Sequence, residues 1–245
     1  NLRGQDLQIS VRNSRFEQNV ANIGGGICSN VESTAIFDSV FKGNYGKFEG
    51  GAAAFSATLS AAFTYIQGCE FTYNIADSGG GVVSSRGSLQ FIDVTCSHNL
   101  ATSLGGCLSL AQYVGCTVQN AVFENNTAVG YGMLPDGTPL GFSGAGGAIS
   151  VFSATVRVTG SNFSRNSAMN DMGGAIAATM STVELYKSTF ENCGASYGGS
   201  IGWSIRSTMV MSECVFTGNQ ATHDGGALYS LTYGESQLFD LTFVN

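Results

Sequence analysis

The chain has 245 residues, including 34 glycines and two prolines, with 11% charged residues and a formal net charge of −7. Its 43% hydrophobic content can fill a core, which a disordered polar chain could not. Ten Lys plus Arg are too few for the basic footprint that nucleic acid or an anionic membrane requires. The glycines follow no three-residue period, and no apolar run reaches the roughly 18 to 20 residues that cross a bilayer.

Two short motifs alternate along the whole chain. The first is Phe-x-x-Asn, at Phe16/Asn19, Phe41/Asn44, Phe71/Asn74, Phe123/Asn126, Phe163/Asn166 and Phe216/Asn219. Cys96 takes the Phe position before Asn99, and Cys193 takes the Asn position after Phe190. The second is a glycine pair, its second member read as Gly26, Gly51, Gly81, Gly106, Gly147, Gly174, Gly199 and Gly226. The steps between these are 25, 30, 25, 41, 27, 25 and 27, so the repeat unit is about 25 residues. The long step marks a loop insertion over 130–143, which holds Pro135 and Pro139.

Seven residues before each Phe position stand Thr34, Thr64, Leu89, Cys116, Val156, Val183 and Met209. Five before it stand Ile36, Ile66, Phe91, Val118, Val158, Leu185 and Met211. Two largely apolar columns two residues apart predict a strand with one buried face. A second strand is predicted after each glycine pair, with the second and fourth residues inward, as in Ile149/Val151 and Ile201/Trp203. Strands this short cannot bury a face alone, so they are expected to stack turn on turn. The predicted fold is all-β: a right-handed parallel β-helix of about eight coils over 1–245. Because the chain starts and stops within a repeat, it reads as a fragment of a longer one. Asn19, Asn44, Asn74, Asn99, Asn126, Asn166 and Asn219 are expected to form a structural ladder, each amide bonding the next coil at a bend.

Phe-x-x-Asn paired with Gly-Gly-Ala-Ile (146–149 and 173–176) or Gly-Gly-Ala-Leu (225–228) resembles the repeats of the chlamydial polymorphic outer membrane proteins. The resemblance covers essentially the whole chain. It implies a secreted surface passenger, often adhesive.

Signals for chemistry are sparse. Glycan-cleaving enzymes need clustered carboxylates. Glu49, Asp77, Asp171 and Asp224 stand near glycine pairs, but adjacent coils do not bring two of them together. Seven cysteines leave at least one unpaired, and none has C-x-x-C spacing. His98 and His223 are remote from each other in the chain, so neither a metal nor any other cofactor is expected. Cys69 and Cys96, on neighbouring coils, are the candidate disulfide pair. Asn125 and Asn162 begin N-glycosylation sequons.

Strict alternation after the glycine pairs would place Ala52, Ala54, Ser84, Ser109, Ala148, Ser150, Ala175 and Ala177 outward. Such a flat, uncharged surface predicts a packing face for another copy or a neighbouring domain. The reading that follows is a non-catalytic extracellular or cell-surface solenoid, adhesin-like or a filament subunit. It would self-associate or pack on neighbouring domains through the coil ends or that face, with glycans as further candidate partners. Neither nucleic acid nor a membrane span is expected. The competing reading is a carbohydrate-active enzyme or glycan-binding module, its cleft walled by Tyr131, Asp136 and Phe142 in the insertion.

Overall fold

The period-two columns form strands, and the strands stack. The structure, a computed structural model, describes residues 8–56, 62–130, 145–231 and 234–245. The insertion over 130–143, apart from Gly130, lies outside the described residues. The chain is a parallel β-solenoid of about eight turns with roughly 27 residues per turn. The 34 strands among the described residues belong to four sheets. In the first turn, sheet A begins at Gln8–Arg12, sheet B at Arg15–Glu17, sheet C at Val20–Ile23 and sheet D at Ile27–Ser29. Each strand pairs in parallel with its counterpart one turn away.

Sheet A follows the expected columns, with Ile36, Ile66, Phe91, Val118, Val158, Leu185 and Met211 all fully buried. The corners after sheets A and B use left-handed backbone. Asp38, Asp93 and Asn120 occupy it at the first, and His98 and Asn125 at the second, with φ of 48–57°. Asn and Asp adopt this conformation more readily than most residues.

The asparagine ladder forms as read. Each Asn Oδ1 accepts from the backbone N–H and the Nδ2 of the Asn in the preceding turn, at 2.8–3.1 Å from Asn19 through Asn166. Its own Nδ2 also donates to the carbonyl at the Phe position of the preceding turn, as Asn99 does to Phe71 at 2.8 Å. At Cys193 the ladder is interrupted, and the Cys193 N–H donates onward to Asn219 Oδ1 at 2.9 Å.

Beside the ladder the phenylalanine rings stack. Successive centroids lie 4.7–5.0 Å apart where every turn supplies its Phe. The turn with Cys96 has no such ring. Phe91, reaching across from sheet A, fills the gap, 5.9 Å from Phe71 and 6.1 Å from Phe123. A neighbouring column thus restores the volume that Cys96 removes.

Three expectations are corrected at the corner between sheets C and D. First, Gly24, Gly50, Gly79, Gly105, Gly146, Gly173, Gly198 and Gly225 hold the positive-φ corner position. The pairs in the first and third turns are therefore Gly24–Gly25 and Gly79–Gly80, one residue earlier than read. The second glycine sits against the next turn: a Cβ on Gly106 would lie 2.1 Å from the Gly147 carbonyl oxygen.

Second, the small-residue face is not a solvent surface. Two consecutive N–H groups after each pair donate to one carbonyl, as Ala52 and Ala53 both do to Gly81 O. Such a bulge turns two successive side chains to the same side, so Ala52, Ala148 and Ala175 line the core. The register shift puts Ser84 in the core-facing column with Phe55 and Leu110. Ala54, Ser109, Ser150 and Ala177 do form a column on the opposite side, but they are at most 6% exposed. The corner folds back over them: a Cβ on Gly50 would stand 3.0 Å from the Ala54 Cβ, and one on Gly202, in the same column, 2.6 Å from the Met172 Cβ. They are small because the chain packs on itself there.

Third, Cys96 is joined to Cys107, with 6.1 Å between Cα atoms, and not to Cys69. The Phe column faces the residue after the glycine pair, since a Cβ on Gly26 would lie 3.2 Å from Phe41 Cδ1. Cys96 and Cys107 therefore meet across one turn. Cys69 lies in the corner column, where its thiol donates to the Gln67 carbonyl at 3.3 Å.

Candidate functional site

With the ladders accounted for, the outward positions remain. Two residues after each ladder Asn, and after Cys193 in its place, stands a small residue: Ala21, Gly46, Ala76, Ala101, Ala128, Ala168, Ala195 and Ala221. Ala101, Ala128, Ala145, Ala168 and Ala195 form an apolar cluster separate from the main core. A Cβ on Gly46 would lie 2.7 Å from both the Glu49 and Gly50 carbonyl oxygens, so this column tolerates little bulk. Sequence reasoning missed it, although an Asn-x-Ala signal was present.

Between the Asn and the Ala, one side chain per turn points out of sheet C. The first four are Val20, Tyr45, Ile75 and Leu100; the next four are Thr127, Ser167, Gly194 and Gln220. In this column the first four turns are apolar and the next four are not. Val20 is 75% exposed and Tyr45 42%. Phe48, near the end of the Tyr45–Glu49 strand, is 50% exposed. Tyr45, Phe48 and Ile75 wall a groove of about 440 Å³, with Lys47, Asp77 and Thr102 as its polar groups. Lys47 Nζ lies 5.0 Å from the Phe48 ring centroid. Asp77 Oδ1 accepts from Thr102 Oγ1 at 2.5 Å and Ser103 Oγ at 2.6 Å, which fixes the carboxylate.

A second cavity, of about 500 Å³, lies at the corner between sheets D and A and is lined by Tyr113, Gly115, Met180 and Arg206 among others. A Cβ on Gly115 would meet nothing within 4 Å among the described residues, so this glycine leaves a notch in the wall.

The remaining polar groups are dispersed. Among the described residues no group of three or more His, Cys, Asp or Glu could hold a metal ion. His98 is stacked on Tyr73, with centroids 4.8 Å apart. Burial raises Cys69 and Cys193 to about 11, so both thiols stay protonated at neutral pH. Asp171 is fully buried, and its Oδ1 accepts from the Met172 N–H while Oδ2 has no partner among the described residues. Desolvation raises its carboxyl to about 7. Of the two sequon residues, Asn162 is exposed on sheet B and accepts from Thr189 Oγ1 at 2.8 Å. Asn125 is half-buried in a left-handed corner.

Residues 120–151 and 213–231 match the family model of the Chlamydia polymorphic membrane protein repeat, in keeping with the resemblance carried by the motifs. The chain is 28% identical over 162 residues, 66% of its length, to a metabotropic glutamate receptor-like protein R of Dictyostelium discoideum, and it spans 9% of that protein. No solved structure matches it.

Proposed function

We propose that the solenoid is a non-catalytic, surface-exposed part of an extracellular or cell-surface protein, adhesin-like or a fibre subunit. The observation that carries this reading is the repeat of a membrane-protein family, matched at two places in one continuous parallel stack. The relative named as receptor-like supports it, as a proposal from a match to a small part of that protein. The buried small-residue column leaves the outward faces of the sheets as the places where a second copy, a neighbouring domain or a glycan would meet the solenoid. Asn162, exposed on sheet B, is the better placed of the two sequons for modification in a eukaryotic secretory pathway.

The test is antibody labelling of intact and permeabilised cells of the source organism, with electron microscopy of the purified protein. Labelling of intact cells is expected, with rods or filaments of solenoid width in the images. Labelling only after permeabilisation would overturn the surface reading. Release of reducing ends from any member of a polysaccharide panel would overturn the non-catalytic one.

A further inference from the structure

The groove on sheet C is more than the fold requires. In nearly every turn a ladder Asn and a stacked Phe, with Cys193 and Cys96 as the two exceptions, and in all turns a small residue beside them, maintain the solenoid. The residue between Asn and Ala faces away from the core, and Thr127, Ser167, Gly194 and Gln220 show that polar or minimal side chains serve there equally well. In the first four turns that position is apolar throughout, and Phe48 adds a second aromatic ring. Exposing Tyr45, Phe48 and Ile75 to water lowers solubility without strengthening the core.

We propose that this groove binds a neutral saccharide. Its volume of about 440 Å³ suits one or two sugar rings. Tyr45 and Phe48 offer ring faces on which the C–H face of a pyranose stacks. Asp77, held through Oδ1 by Thr102 and Ser103, has Oδ2 without a partner among the described residues, and that oxygen can accept from a sugar hydroxyl. Lys47 supplies a donor on the same rim. One cation and one anion make the groove close to neutral, and a chain of net charge −7 repels sulfated or sialylated glycans at long range. An all-equatorial β-linked sugar presents the broadest C–H face, so β-1,4-linked glucose is the chemistry the rings fit best. The site goes beyond the surface reading, since the solenoid could be surface-exposed with this groove empty.

The probe is cellotriose at millimolar concentration, followed by saturation-transfer-difference NMR on the intact protein. The wild type is expected to transfer saturation to the ring C–H protons. Tyr45→Ala and Phe48→Ala should each weaken binding by about tenfold or more, as loss of a central aromatic contact does elsewhere. Asp77→Asn should weaken it less. Met169→Ala, at a 57% exposed position in a later turn of the same sheet, should change nothing. Unchanged circular dichroism melts identify the variants that remain folded. Absence of transfer in the wild type, or equal loss in Met169→Ala, would overturn the assignment. Preferential binding of a heparin hexasaccharide would overturn the neutral class in particular.

Discussion

Cys193 interrupts the asparagine ladder, and restoring the ladder should stabilise the solenoid. In every intact step, an amide oxygen receives two donors from the turn before and an amide nitrogen donates to two acceptors. At Cys193 the Asn166 Nδ2 meets sulfur at 4.0 Å, and the thiol reaches the Phe163 carbonyl at 3.7 Å. Cys193→Asn would replace these with an amide oxygen for the Asn166 N–H and Nδ2, and an amide nitrogen for Phe163 O and Asn219 Oδ1. Each buried hydrogen bond contributes about 0.5–1.5 kcal/mol net. Loss of a small buried hydrophobe and ordering of the amide offset about 1–2 kcal/mol of the total. The balance is about 1–3 kcal/mol of stabilisation. A solenoid's stability is largely a sum of neighbouring-turn terms, so the gain should be local. Native-state hydrogen exchange is the assay: backbone amides around 163–170 and 190–197 should exchange between about fivefold and a hundredfold more slowly. Asn99→Ala should do the opposite. It orphans the Asn74 N–H and one Asn74 amide hydrogen, at a cost of about 2–5 kcal/mol. Unchanged or faster exchange in Cys193→Asn would refute the view that the ladder, and not the packing around it, stabilises this corner.

Phe91→Ala should cost about 3–5 kcal/mol in urea denaturation because it opens the ring stack. In reducing buffer, adding Cys96→Phe should recover part of that loss, giving a favourable coupling in a double-mutant cycle. Gly106→Ala should abolish stacking at its turn, since the Cβ would overlap the Gly147 carbonyl. Gly115→Ala meets open space and should be neutral or stabilising by up to about 1 kcal/mol, both read from thermal melts. Asp171 carries a pH signature of definite sign. Its carboxyl lies at about 7 in the folded chain against the ordinary 3.8 of an unburied aspartate, so the folded state holds the proton longer. Its contribution is fully present below pH 4 and is lost as pH rises to about 7, a fall of roughly 4 kcal/mol. Denaturation of Asp171→Asn between pH 4 and 8 should lack that fall; an identical profile in both proteins would refute the assignment.

The parts of this fold that were legible in the sequence are those where side chains decide the structure. Sheet A and the Phe and Asn columns follow from residues that must be apolar or must carry an amide, and spacing alone locates them. The corner before sheet D is decided by backbone. In Gly24–Gly25–Gly26 and Gly79–Gly80–Gly81 no side chain marks which pair turns the corner; carbonyl contacts between turns do. The same corner holds the bulge, which a period-two reading cannot anticipate, because two consecutive N–H groups sharing one carbonyl leave no trace in residue type. Those two backbone features alone moved Ser84, Ala52, Ala148 and Ala175 from a supposed outer face into the core. The disulfide followed the same logic. Cys69 and Cys96 are near in repeat position, but Cys96 faces the residue after the glycine pair, Cys107, which strict alternation would turn outward and the bulge turns inward. The groove on sheet C was missed for a different reason. Tyr45, Ile75 and Leu100 stand at a fixed offset from the ladder Asn and could have been tabulated, but an apolar column reads as core until the small column beside it is seen to occupy the inside. An outward position can thus be recognised in such repeats only after both flanking inward columns, Asn and Ala, have been identified.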